Sequence, residues 1–69
     1  TNLNFIFTNY NDGVTNVLVF DFSGRLVMER SLSVESGTAQ LNLSSIPSGS
    51  YLVYLRNNKL NYYTKIIKK

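Results

Sequence analysis

The sequence predicts an all-β protein of about six to seven short, mostly antiparallel strands. Two observations carry this. Apolar residues recur at alternate positions along most of the 69-residue chain, which is the period of a strand with one buried face. Clusters of Gly, Ser, Asn and Pro separate these runs and read as turns. No segment holds the 3.6-residue period of an amphipathic helix.

Each element follows from its residues. Leu3, Phe5 and Phe7 alternate with Asn4, Ile6 and Thr8. Residues 17–20 form a continuous apolar run, as expected of a strand buried on both faces. Ser23 and Gly24 then make a tight turn, since Gly accepts positive φ without steric cost. Residues 25–34 form the next strand, with Leu26, Met28, Arg30 and Leu32 at alternate positions, and residues 35–37 the turn after it. Ala39, Leu41 and Leu43 alternate with Thr38, Gln40 and Asn42. Residues 44–49 are a loop around Ile46 and Pro47, whose fixed φ and missing N–H suit a bend. Residues 51–55 (Tyr-Leu-Val-Tyr-Leu) are the strongest strand, because aromatic and β-branched side chains suit a pleated, well-packed surface. Tyr51 and Tyr54 lie three apart, face opposite sides, and so send at most one ring into the core. Asn57 and Asn58 make a turn into a last strand over about residues 59–67. There Leu60, Tyr62 and Ile66 share one face, and Tyr63 and Ile67 the other. Six strands joined by short turns imply a sandwich or a small barrel.

Composition narrows the chemistry. The chain has no Cys and no His, so a Ser-His pair, a thiol nucleophile and a disulfide are all excluded, and the usual zinc ligands are missing. Asp12, Asp21, Glu29 and Glu35 are the four carboxylates, and no two form a recognisable acid–base pair. The sequence therefore predicts no catalytic residues, no metal and no cofactor: a protein that is not an enzyme. No run approaches the roughly 18 apolar residues of a transmembrane helix, so no membrane insertion is expected. The chain starts at Thr1 rather than Met and reads as one domain, residues 1–69, cut from something larger, in which any export signal would lie upstream.

Charge is uneven. Residues 1–35 set Arg25 and Arg30 against the four acids, giving −2; residues 36–69 carry Arg56, Lys59, Lys65, Lys68 and Lys69 with no acid, giving +5. Lysines interleaved with Tyr62 and Tyr63 are compatible with single-stranded nucleic acid. Lys is equally the common guard of an exposed edge strand, and Tyr is common in strands, so a solvated edge is the stronger reading. A surface recognising protein or an anionic envelope comes second, and no nucleic-acid partner is expected.

One ordered pattern is more specific than any of its parts. Val17-Leu-Val-Phe-Asp21-Phe-Ser-Gly24-Arg25-Leu-Val27 is an apolar strand, an Asp, and a Ser-Gly turn into a second strand. Leu41-Asn-Leu43 follows, then Ile46-Pro-Ser-Gly49-Ser-Tyr51-Leu-Val53, and the chain closes on Lys65-Ile-Ile-Lys68-Lys69, which reads as a natural C-terminus. Over about residues 14–69 this resembles the type A C-terminal sorting domain of the type IX secretion system of Bacteroidota. The resemblance implies an immunoglobulin-like β-sandwich acting as an address label for an upstream cargo in the same chain. It implies transit through the periplasm, recognition by type IX translocon components, and delivery to the cell surface or medium. A sortase-like cysteine peptidase then usually cleaves the domain off.

The expected recognition residues are Lys65, Ile66, Ile67, Lys68 and Lys69 on the last strand, where a receptor could add a strand and an acidic partner be steered. Gly49, Tyr51, Asp21 and Gly24 belong to the same recognisable pattern. Each also has a structural reading: backbone geometry for the glycines, closure of a turn for Asp21, packing for Tyr51. The alternative function is a non-catalytic accessory module that binds carbohydrate or protein through Tyr10, Tyr62 or Tyr63, or a structural spacer of a surface protein.

Overall fold

A computed structural model describes residues 2–7, 12–57 and 61–69. Within them lie six strands: β1 (Asn2–Ile6), β2 (Gly13–Phe20), β3 (Leu26–Val34), β4 (Thr38–Asn42), β5 (Gly49–Arg56) and β6 (Asn61–Lys68). They form two antiparallel sheets, one of order β1-β4 and one of order β3-β2-β5-β6. The expected all-β sandwich is thus the observed fold.

Alternation decides which side chains form the core. Phe5, Ala39 and Leu41 from the small sheet pack with Val17, Val19, Met28, Val34, Tyr51, Val53 and Leu55 from the large one. Leu43 and Ile46, on the connection that carries the chain from β4 to β5, close the layer between them. Thr15 is the buried polar residue in this layer. Its hydroxyl donates to the carbonyl of Arg56 at 3.4 Å and accepts from Asn57 Nδ2 at 3.2 Å, so the burial leaves no orphaned polar group.

Two turns explain how the chain changes direction. Between β2 and β3, Gly24 stands at φ +86° after Phe22 and Ser23, and its N–H donates to the Asp21 carbonyl at 3.0 Å. Between β3 and β4, Ser36 and Gly37 both have positive φ, 52° and 76°, and Glu35 and Thr38 exchange backbone hydrogen bonds across them. Two successive positive φ values are the signature of a type I′ turn. Here the turn joins strands of different sheets, so it moves the chain from one layer to the other.

The third crossing, from β4 to β5, is held by Tyr51. Its ring is buried and its hydroxyl donates to the carbonyl of Pro47, four residues upstream. A Tyr at the start of a strand, bonded back to the loop that precedes it, is the tyrosine corner of immunoglobulin-like sandwiches. Tyr54 is half-buried on the opposite face of β5, as the three-residue spacing requires.

Two expectations need correction. Residues 17–20 are not buried on both faces. Val17 and Val19 are fully buried, whereas Leu18 and Phe20 lie half-buried on the outer side of the sheet, where no second layer covers them among the described residues. On β3 only Met28 of the four alternating residues is buried. A β-bulge explains part of this: Val19 pairs with Met28 but Phe20 pairs with Leu26, so Val27 is skipped and the alternation shifts. The expected turn at Asn58 and the first residues of the last strand, Lys59 and Leu60, lie outside the described residues, as does Tyr10.

Candidate functional site: the outer face of the large sheet

Pairing across β2, β5 and β6 assembles a surface from residues far apart in sequence. Phe20 pairs with Leu52, and Leu52 with Lys65; Leu18 pairs with Tyr54, and Tyr54 with Tyr63; Ser50 pairs with Ile67. Cross-strand partners share a face, so these side chains form rows on the outside of the sheet. The result is an apolar cluster on the outer face, with Leu52, Tyr63 and Ile67 exposed and the Tyr54 and Tyr63 rings 6.3 Å apart, beside a polar row of Ser31, Asn16, Arg56 and Asn61. At 87% exposure Phe22, in the β2–β3 turn, presents nearly its whole ring to solvent.

At one end of this face lies an open groove of about 520 Å³, lined by Phe20, Asp21, Phe22, Gly24, Ser50, Tyr51, Leu52 and Lys65. Its lining is largely apolar, and β6 forms its rim through Lys65. β6 ends the large sheet, pairing with β5 on one side and with no strand on the other among the described residues. The groove therefore adjoins an open row of backbone donors and acceptors.

Asp21 organises the turn at the groove. Its Oδ1 accepts from the N–H groups of Ser23 at 2.9 Å and Arg25 at 3.0 Å, and its Oδ2 accepts from Arg25 Nε at 3.2 Å. The hydrogen bond from the Arg25 N–H is the chief reason its carboxyl lies below the ordinary aspartate range; the Ser23 N–H and the Arg25 guanidinium add to it, while partial desolvation opposes it.

Of the nine recognition residues expected from sequence, Asp21, Gly24, Tyr51 and Lys65 come together around the groove. Gly49 begins β5 beside them at φ +155°, a backbone that a side chain rarely adopts. The C-terminal run divides by strand alternation. Lys65 and Ile67 face outward with the groove. Ile66 turns inward against the core. Lys68 is half-buried, and its ammonium donates to the carbonyls of Leu43, at 2.8 Å, and Ile46. Lys68 thus fastens the end of β6 to the β4–β5 connection. Lys69 is exposed at the end of the chain. Phe20, Phe22, Ser50 and Leu52 were not singled out from sequence. The one available signal was Phe22, a large apolar side chain within an otherwise polar turn; the other three converge only through the strand register.

Comparison with known proteins bears on what such a surface is for. No curated protein and no solved structure gives a significant match to this chain. The family described as the secretion system C-terminal sorting domain matches residues 1–69, extending the likeness seen in sequence beyond residues 14–69 to the whole chain. The domains of this family are the C-terminal sorting signals of type IX secretion, directing the proteins that carry them to the cell surface or medium. The chain belongs to the type IX secretion C-terminal sorting domain family.

Proposed function

We propose that this chain is the terminal domain of a larger exported Bacteroidota protein and is read by the type IX translocon through the outer face of its large sheet and the open edge of β6. The cargo lies upstream in the same chain and crosses the periplasm before the domain is read. A sortase-like cysteine peptidase then separates domain from cargo, and the cargo remains on the surface or enters the medium. The domain itself performs no catalysis in this scheme. What supports the reading is the convergence of Asp21, Gly24, Tyr51 and Lys65 on one apolar groove beside an unpaired strand edge. An added strand would gain main-chain hydrogen bonds from β6 and specificity from its alternate side chains.

The test is a secretion assay. A periplasm-targeted fluorescent protein is fused ahead of residues 1–69 and expressed in a type IX-competent strain and in a matched translocon-deficient one. Surface or medium fluorescence in the competent strain alone is the expected result. Periplasmic retention in both, with the domain shown to be folded, overturns the reading.

A further inference from the structure

The groove has a definite chemical bias. Its floor and walls are apolar side chains, Phe20 and Leu52 among them, with the Phe22 ring standing free beside it. Two charged residues line it, and they are not equivalent. The Asp21 carboxylate is already engaged by two backbone N–H groups and the Arg25 guanidinium. Lys65 is exposed and has no carboxylate within ion-pair distance among the described residues, where Arg25–Asp21 is the ion pair formed. The charge open to a ligand is therefore positive. Lys65 also belongs to β6, so it is continuous with the open backbone edge.

From this we infer that the groove docks an extended peptide segment of the translocon, in which an aliphatic or aromatic side chain stands next to a carboxylate. The apolar side chain fills the space over Phe20 and Leu52, against Phe22, and the carboxylate pairs with Lys65. The inference rests on the sorting reading above and adds the chemistry of the partner. Apolar contact supplies affinity, and complementary charge supplies orientation and selection against cationic segments. Neither other occupant fits as well. An acyl chain offers nothing to the backbone edge that adjoins Lys65, and a second copy would bring to it either an equally cationic β6 or β3, the other end strand, whose Glu29 and Arg30 balance in charge.

Two measurements test it. The first is a titration of the isotope-labelled chain, followed by amide chemical shifts, with the blocked peptides TFELT and TFKLT. Changes at Phe22, Leu52 and Lys65, with TFELT binding about tenfold more tightly than TFKLT and the preference lost or reversed by Lys65→Glu, are expected. Equal responses to both peptides, or changes centred elsewhere, overturn the inference. The second is the secretion assay with Phe22→Ser and Lys65→Glu, beside Ile6→Ser, which removes a similarly exposed apolar side chain (83%) from the other sheet. Export falling about tenfold for the first two, and staying within about twofold for Ile6→Ser, is expected. Export unchanged by all three overturns the inference, as does binding of the unsubstituted chain to anionic vesicles, or its self-association, if either is abolished by Phe22→Ser while export is not. If the unsubstituted fusion is not exported, the sorting reading fails, and the peptide titration still decides the groove.

Discussion

The two outward faces of this sandwich enclose one core and differ in kind. On the small sheet, Asn2, Asn4, Thr38, Gln40 and Asn42 point to solvent, and Gln40 Nε2 donates to Asn4 Oδ1 at 3.0 Å. Ile6 is the apolar exception. On the large sheet, Leu18, Phe20, Leu52, Tyr54, Tyr63 and Ile67 form an apolar cluster on the outward face, bordered by a polar row of Ser31, Asn16, Arg56 and Asn61 and by Glu29 and Lys65. A face needing only solubility can be amide-rich throughout. An apolar cluster left open bears the cost of keeping hydrophobic surface wet, and such patches mark interaction sites. On the reading proposed above, the contrast within 69 residues separates the side covered by the translocon from the side that stays in water.

The largest change expected is one that abolishes both faces together. Leu41→Ala removes a fully buried side chain from the shared core and should destabilise the domain by about 2–5 kcal/mol, read as a lower urea midpoint. In so small a domain that loss brings much of the population to the unfolded state. Export should then fail for want of a fold, with both faces lost equally.

A subtler substitution splits the C-terminal lysines. Lys68→Met leaves the Leu43 and Ile46 carbonyls without their donor and should cost about 1–3 kcal/mol in urea unfolding. Lys65→Met should change stability by less than about 0.5 kcal/mol, because its ammonium has no partner among the described residues, yet it should lower export. Equal stability losses for the two would erase the division between a fastening lysine and a reading lysine.

The smallest effect is a pH dependence at the groove. Asp21 is ionised more readily in the folded chain than the ordinary value of 3.8 implies. Its contribution to stability is therefore fully present above about pH 4 and lost as pH falls through the lowered folded value. Asp21→Asn should flatten that part of the acid-unfolding curve by lowering the neutral plateau slightly toward the acid-side value. An unaltered acid limb would show that the turn does not depend on the carboxylate charge.

Much of the fold was legible because its signals are local. Alternation at Leu3, Phe5 and Phe7, the Ser23-Gly24 turn, and the opposite facing of Tyr51 and Tyr54 each need only a few neighbouring residues. The role of Asp21 in closing its turn was legible for the same reason. The groove was not, because it depends on which strands pair and in what register: Phe20 meets Leu52, and Leu52 meets Lys65, across 32 and 13 positions of sequence. Residues 17–20 misled because an apolar run reads alike whether its second face is covered or is waiting for a partner. Lys68 misled because a terminal basic cluster reads as solvent-facing until alternation turns one member inward.

The placement of β1 has a consequence for what the domain can carry. Whatever chain is joined ahead of Asn2 leaves from the small sheet, while the groove and the open edge of β6 belong to the large one. Freight and label are thus mounted on separate layers. Under the proposed reading, a passenger of almost any shape can be swapped without rewriting the surface that is inspected, which would make the domain a portable fitting rather than a part matched to one protein.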